Sequence, residues 1–156
     1  MEKEFQDLFQ IRHNDDRVEV GKVLIAEPFL EGKYFNRSVV YMVEHDDAGS
    51  VGFVLNKPLP YTASELVKEL EGVYFPVYIG GPVEPNQLYY IHRKGDVPDS
   101  VRIAEEIYWG GDFRALTGML QAGKILQDEI RFFAGYSGWT EKQLDGELKE
   151  NSWMVG

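Results

Sequence analysis

Side chains able to do acid–base chemistry stand together at Glu44-His45-Asp46-Asp47. Three carboxylates around an imidazole could bind a divalent metal ion or move a proton. Successive residues of a strand point to opposite faces, however, so these four do not converge without a sharp turn. There is no second histidine nearby and no His-Glu-x-x-His spacing. We therefore predict a solvated turn here and no metal site.

A second candidate is Gly135-Tyr136-Ser137-Gly138-Trp139, which comes close to the Gly-x-Ser-x-Gly pattern of a nucleophilic serine. The fifth residue is Trp139 where that pattern requires glycine. We predict instead a strand that leaves the sheet through two glycines, with Tyr136 and Trp139 packing before Thr140 starts a helix.

Arg37 and Gly80-Gly81 are candidates for ligand contacts. Arg37 enters an apolar stretch at 38–43, where a guanidinium could hold a carboxylate or phosphate through two hydrogen bonds. The alternative is an ion pair within the chain, for instance with Glu44. Gly80-Gly81 could expose backbone N–H groups to a ligand, although the geometry of a turn also explains two glycines.

The charge balance disfavours direct nucleic-acid binding. The 156 residues carry 16 basic and 26 acidic side chains, for a formal net charge of −10. Duplex-binding proteins gain most of their affinity by neutralising phosphates with Lys and Arg. The densest basic cluster is His92-Arg93-Lys94, and Asp96 and Asp99 follow it.

Composition also bears on cellular location. The chain has no cysteine, which excludes disulfides, thiolate metal sites and a thiol nucleophile, and fits a cytoplasmic protein. Apolar runs such as 39–43 are far shorter than a membrane span. Residues 1–12 lack the features of a secretory signal. We therefore expect a cytoplasmic protein without membrane contact.

These candidates must be positioned by short strands and a few helices. Apolar runs bounded by turn residues predict strands at 23–26, 38–44, 51–56, 77–79, 87–92, 101–103, 107–109 and 130–134. Helices are predicted within 1–16, from the Thr62 capping box to Gly72, from Asp112 to Gly123, and from Thr140 onward. Because the strands come in hairpin-like pairs, we predict one α+β domain over residues 1–156 with a mainly antiparallel sheet.

Several short islands, taken in order and with their spacing, resemble the AlgH/YqgE family of small bacterial proteins. They are Gly21-Lys22-Val23-Leu24-Ile25-Ala26, Phe35-Asn36-Arg37-Ser38-Val39, Glu44-His45, Gly52-Phe53-Val54-Leu55-Asn56-Lys57-Pro58, Gly80-Gly81-Pro82-Val83, Gly135-Tyr136-Ser137-Gly138-Trp139, Gln143-Leu144, Glu147 and Asn151-Ser152-Trp153. The resemblance covers nearly the whole chain from about Gly21 onward.

The resemblance implies an α+β domain whose branched or barrel-like sheet is surrounded by helices. It transfers no catalytic residue and no cofactor. Some family members are labelled transcriptional regulators, and the acidic charge implies that such a role would be indirect, through a protein partner. Members of the family look longer after the Asn-x-Trp motif, so we expect that a C-terminal family segment is missing after Gly156.

We expect one set of side chains to gather on one side of the fold and bind a ligand. The set is Arg37, Glu44, His45, Asn56, Gly80, Gly81, Tyr136 and Trp139. The leading hypothesis is a non-enzymatic binding or regulatory domain for a protein partner or a small anionic ligand. One alternative is a small hydrolase or transferase in which Arg37 binds an anionic metabolite and His45 is the base. The other is a DNA-binding regulator.

Overall fold

The computed structural model describes residues 17–26, 37–150 and 152–156. These residues form ten strands: β1 (Val23–Ala26), β2 (Val39–Asp46), β3 (Gly49–Val54), β4 (Pro58–Thr62), β5 (Pro76–Ile79), β6 (Val83–His92), β7 (Val101–Ala104), β8 (Ile107–Trp109), β9 (Ile130–Trp139) and β10 (Trp153–Val155). They also form three α-helices, α1 (Ala63–Leu66), α2 (Phe113–Gln121) and α3 (Glu141–Lys149), and 3-10 turns at Lys68–Leu70 and Gln127–Glu129. The predicted N-terminal helix lies outside the described residues.

The sheet is mainly antiparallel and branched, which confirms the predicted α+β class. Its main path runs β10-β1-β2-β3-β9-β6-β8-β7, with antiparallel neighbours throughout. Strand β5 leaves this path because it pairs in parallel with β9 and antiparallel with β4. The path ends at β10 and β7, so the sheet is not closed.

Strand β9 is the branch point of the sheet. Its first half pairs with β5 and β6, and its last residues, Ser137 to Trp139, pair with β3. Gly135 lies between the two halves with φ 74°. Phe133 and Tyr136 are three residues apart yet contact the same apolar cluster, so the side-chain alternation shifts by one residue at Gly135.

The described helices all pack on one face of the sheet. Helix α2 places Leu116 and Leu120 in a buried cluster with Phe132, and α1 contributes Ala63 to the same cluster. Helix α3 places Leu144 in a second cluster. Helices α2 and α3 begin as predicted. The Asp112 side chain accepts a hydrogen bond from the Ala115 amide, and the Thr140 side chain accepts one from the Gln143 amide.

Three details differ from the predicted elements. The helix expected from Thr62 to Gly72 breaks at Val67, where the backbone is extended (φ −132°, ψ 119°). Its first amides, those of Ala63 and Ser64, donate instead to the carbonyls of Phe75 and Val73. Strand β9 continues to Trp139 where an exit from the sheet was predicted, and neither β4 nor β10 was predicted.

Candidate functional site

The acidic hairpin between β2 and β3 is tighter than its composition suggested. Only Asp47 and Ala48 form the turn, and the Asp46 carboxylate accepts a hydrogen bond from the Ala48 amide at 2.8 Å. His45 pairs directly across the hairpin with Ser50, and its Nδ1 lies 2.7 Å from the serine Oγ. Facing residues of an antiparallel pair are held this close by register alone.

A cavity of about 280 Å³ opens beside this hairpin. We call it the hairpin cavity; Glu44, Asp46, Ser50, Tyr136 and Trp139 contribute to its wall. The structure thus brings together Glu44, Tyr136 and Trp139 of the predicted set, and His45 touches the cavity through Ser50. Two carboxylates on so small a cavity repel an anionic ligand.

Trp139 reaches this cavity from the core of the protein. Its ring packs edge-on against Trp153 at 5.8 Å, and both indole N–H groups donate to Oε1 of Glu147, at 3.4 and 2.9 Å. Trp139 therefore holds α3 and β10 to the sheet, and this structural role explains why a tryptophan lies at the cavity.

Arg37 and Asn56 lie at the other end of β2. The Asn56 side chain accepts a hydrogen bond from the Val39 amide at 3.0 Å and donates one to the Arg37 carbonyl at 2.8 Å. Arg37 has φ 57°, so Asn56 fixes an unusual backbone turn where β2 begins. His45 comes eight positions after Arg37 in a largely extended segment, so the two residues lie about 25 Å apart. The predicted set therefore does not form one site.

Gly80 and Gly81 pass against residues 135–137 of β9, a region we call the glycine crossing. A Cβ atom on Gly80 would lie 2.3 Å from the Gly135 carbonyl oxygen, and one on Gly81 would lie 2.3 Å from the Tyr136 carbonyl. Ser137 is fully buried, and its hydroxyl donates to the Gly80 carbonyl at 3.0 Å. These glycines and this serine serve the close approach of two backbones.

The face of the sheet opposite the helices carries an apolar cluster, which we call the aromatic face. Its buried centre is Val43, Phe53 and Phe133, and its half-buried surround includes Tyr41, Tyr78, Tyr89, Ile91, Trp109 and Tyr136. Phe53 stacks on Phe133 at 4.8 Å and lies 6.1 Å from Trp109. None of the described helices contributes to this cluster, so no helix within the described residues covers it.

Two buried polar atoms of the aromatic face have no hydrogen-bond partner among the described residues. They are the Tyr41 hydroxyl and Nε1 of Trp109. Burial raises the pKa of the Tyr41 phenol, so the group stays protonated as a donor. A buried donor left unpaired costs about 1–3 kcal/mol. This face therefore holds hydrogen-bonding capacity that its own side chains do not use.

At the edge of the aromatic face lies a cleft of about 590 Å³, which we call the arginine cleft. Its walls include Pro76, Tyr78, Ile91, Arg93, Ile107 and Arg131. The Arg131 guanidinium sits 4.4 Å above the centre of the Tyr78 ring, and its Nη1 donates to the Leu55 carbonyl at 3.0 Å. Arg131 is thus held in place while most of its donors are still available.

The charges around the arginine cleft favour an anion. Glu129 is paired with Lys94 at 2.9 Å and accepts from the Leu126 amide, and these contacts hold the pKa of its carboxyl below the usual value. Asp128 has no salt-bridge partner among the described residues. Arg93 and Arg131 therefore outweigh one remaining carboxylate on the cleft wall.

His92 closes the back of this cleft and is not available for proton transfer. Its Nδ1 accepts from the Lys94 amide at 3.1 Å, so the proton is on Nε2, which donates to the Gly110 carbonyl at 2.9 Å. Burial lowers the pKa of the imidazole, although the Gly110 hydrogen bond and Asp96 act in the opposite sense. A buried neutral histidine with both nitrogens engaged is a structural residue.

The predicted set omitted the arginine cleft because its side chains come from separate strands. One available signal was Arg131, a charged residue inside the apolar run 130–134. The other was the basic cluster His92-Arg93-Lys94, whose middle residue lines the cleft. Only strand register shows that the two belong together.

Metal clusters and membrane-spanning helices are both absent from the described ranges. No group of three or more His, Cys, Asp or Glu side chains within residues 17–26, 37–150 and 152–156 could hold a metal ion. Over the same ranges, no helix is long and apolar enough to cross a membrane.

Known proteins with this sequence pattern and fold place the chain in a family. Residues 23–156 match the AlgH-like family model. A protein of Parabacteroides distasonis named UPF0301 protein is 47% identical over 154 residues, covering 97% of this chain and 78% of that protein. A UPF0301 protein of Bacteroides thetaiotaomicron is 41% identical over 150 residues, covering 96% and 76%.

Two solved structures share the fold. The solution structure of AlgH from Pseudomonas aeruginosa superposes with a TM-score of 0.73 at 25% identity, covering 91% of this chain and 79% of that one. A crystal structure of a Corynebacterium diphtheriae protein gives 0.75 at 24% identity, covering 96% and 80%. On the family match and these relatives, the chain belongs to the AlgH-like family.

Proposed function

We propose that this protein is a non-enzymatic binding domain for a small anionic ligand. The arginine cleft carries the proposal, because it combines a ligand-sized volume of about 590 Å³ with Arg131 held ready by Tyr78 and Leu55. In a chain of net charge −10, this local excess of cationic groups is a specific feature. The residues with acid–base potential support binding over chemistry, since His92 and Ser137 are both engaged with backbone groups.

A thermal-shift panel of nucleotides, sugar phosphates, organic acids, acyl carriers and divalent metals tests this proposal. A ligand at about 100 times its dissociation constant stabilises a fold by about 2.7 kcal/mol, or several degrees. We expect at least one anionic compound to do so and to be recovered chemically unchanged after incubation. Conversion of a stabilising compound, or a panel in which no anion stabilises the protein, would overturn the proposal.

One observation favours a second candidate, a hydrolase that uses Ser50 and His45. Their 2.7 Å contact is within the reach of a nucleophile and its base. Against it, no described carboxylate is hydrogen-bonded to His45, and Glu44 and Asp46 border the cavity. Hydrolysis of p-nitrophenyl acetate should be the same for the wild type and Ser50→Ala. A tenfold loss in that variant would favour the hydrolase.

A regulatory role fits the proposal only as an indirect one. The net charge of −10 opposes phosphate contacts, so we propose that a ligand-dependent protein partner, and not DNA, would transmit any signal. We place this activity in the cytoplasm, which the absence of cysteine supports. Salt-sensitive binding to duplex DNA at physiological ionic strength would contradict the indirect route.

A further inference from the structure

We infer that the arginine cleft takes an organic acid with a flat apolar body, its carboxylate held between Arg93 and Arg131. This inference rests on the proposed function and specifies its ligand. It depends on three features: the pairing of the two arginines, the apolar floor beside them, and the acids on the cleft wall.

Strand register sets the spacing of the arginines. Arg131 of β9 lies directly opposite Ile91 of β6, and Arg93 follows directly after the end of β6, where its amide donates to the Glu129 carbonyl at 3.0 Å. Diagonal neighbours of this kind stand about 7–8 Å apart at the backbone. Both side chains are exposed and line the cleft. The Arg131 guanidinium leans over Tyr78 on the β5 side of β9, so one carboxylate contacts both arginines when the Arg93 side chain extends across β9 toward it.

The floor beside the arginines is apolar and flat. Ile91 pairs with Trp109 in one direction and with Arg131 in the other, so these side chains form a row across three strands. Tyr78 and Ile107 flank this row in the cleft wall. Neighbouring strands lie about 4.8 Å apart, so the row spans about 10 Å.

A simple inorganic anion would leave that floor unused. Ile91, Ile107 and the Tyr78 ring line the cleft beside the arginines, so an organic body gains apolar contacts there that an inorganic anion does not. The acids Asp128 and Glu129 restrict the ligand to one anionic group at this end, and Glu129 is already neutralised by Lys94.

The test compares 1-naphthoate with 1-naphthalenemethanol, which has the same rings and no charge. Titration calorimetry on the full chain at low salt should show naphthoate binding at least about tenfold more tightly, the effect of charge-assisted hydrogen bonds. Arg131→Gln and Arg93→Gln should each remove most of this preference. Arg114→Gln, an exposed arginine on α2 at the opposite face, should keep it.

Asp128→Asn gives a second test, in which the variant should gain affinity for naphthoate where the arginine variants lose it. Removing this carboxylate should tighten naphthoate binding about two- to threefold, because like charges on one cleft repel. Equal affinity for the two naphthalene compounds, or a preference that survives both arginine variants, would overturn the inference. The thermal-shift panel distinguishes failure of the ligand class from failure of the proposed function. If another anion stabilises the protein and naphthoate does not, the ligand class is wrong and the binding function stands.

Discussion

Strand β9 contributes to both the glycine crossing and the arginine cleft, and the two regions use it in opposite ways. At the crossing, Gly135 and Ser137 meet the backbone between β5 and β6, and the Ser137 hydroxyl and the Gly80 amide both donate to carbonyls inside the fold. At the cleft, Arg131 is exposed and keeps most of its donors available. The glycines and the serine that form a conspicuous pattern in the sequence thus stabilise the fold. The side chains available for a ligand form no such pattern.

This difference has a physical cause. Glycine pairs and buried serines are required wherever two backbones approach more closely than a Cβ atom allows, and that requirement produces a conspicuous local pattern. A ligand site assembled across strands needs only one suitable residue on each strand. Its pattern is therefore spread over distant segments and is inconspicuous in each of them.

Gly80→Ala should have the largest effect on the fold. The added methyl group would lie 2.3 Å from the Gly135 carbonyl oxygen and 2.9 Å from Phe53, so the free energy of unfolding should fall by about 3 kcal/mol. Urea unfolding measures this loss. The matched control is Gly118→Ala in α2, where a Cβ meets nothing within 4 Å and helix propensity should add about 0.5–1 kcal/mol. If the two substitutions change the free energy of unfolding equally, the glycine crossing does not have the structural role described here.

Asn56→Ala should have the next largest effect. The change removes two hydrogen bonds, to the Val39 amide and the Arg37 carbonyl, and should cost about 1–2 kcal/mol. Asn86→Ala, an exposed position in β6, should change stability by less than about 0.5 kcal/mol. If Asn56→Ala leaves the unfolding midpoint unchanged but weakens ligand binding, Asn56 belongs to a binding site after all.

His92, at the back of the arginine cleft, should make the free energy of unfolding depend on pH. Burial holds the imidazole pKa of the folded protein below the usual 6.5, so the unfolded chain binds the proton more readily. This contribution to stability is fully present above pH 6.5 and is lost as the pH falls toward the folded-state value. The slope from one proton is at most about 1.4 kcal/mol per pH unit.

Urea titrations at pH 7.5, 6.5 and 5.5 would measure that slope. His92→Gln should be less stable at pH 7.5 and should show a shallower decline on acidification, because its side chain does not titrate. Parallel pH profiles for the wild type and the variant would mean that His92 is not protonated on unfolding in this range.

Arg131→Gln should have the smallest effect on stability. It removes an exposed cation–π contact with Tyr78 and one hydrogen bond, together worth about 1 kcal/mol or less. Thermal unfolding of this variant beside Arg114→Gln gives the comparison. A loss above about 2 kcal/mol would show that Arg131 holds the fold, and the contrast between the two regions of β9 would disappear.

Much of the fold could be predicted from local signals. The strands that form β1 to β3 and β5 to β9 follow apolar runs between turn residues, and the caps at Asp112 and Thr140 correctly mark two helices. A helix does begin after Thr62 as predicted, but it ends after four residues because the backbone is extended at Val67. Strand β10 escaped prediction because it has only three residues and its partner, β1, lies far away in the chain.

Less of the candidate site could be predicted. Glu44, Tyr136 and Trp139 do meet at the hairpin cavity, but Arg37 and Asn56 lie at the far end of β2. Alternation along one strand is visible in a sequence, whereas the register that places Arg93 diagonal to Arg131 is set by the whole sheet. The arginine cleft was therefore beyond what single segments could reveal.

The position of β9 in the sheet also sets an order of events during synthesis. Strands β3, β5 and β6 all need β9 as a neighbour, and β9 begins only at Ile130, well after β6 has ended at His92. A ribosome adds about 5–20 residues per second, so those strands wait for several seconds with unpaired edges. Folding that depends on such distant pairings is intrinsically slow. We therefore expect the edges of β3, β5 and β6 to stay unpaired until the branch strand has been made.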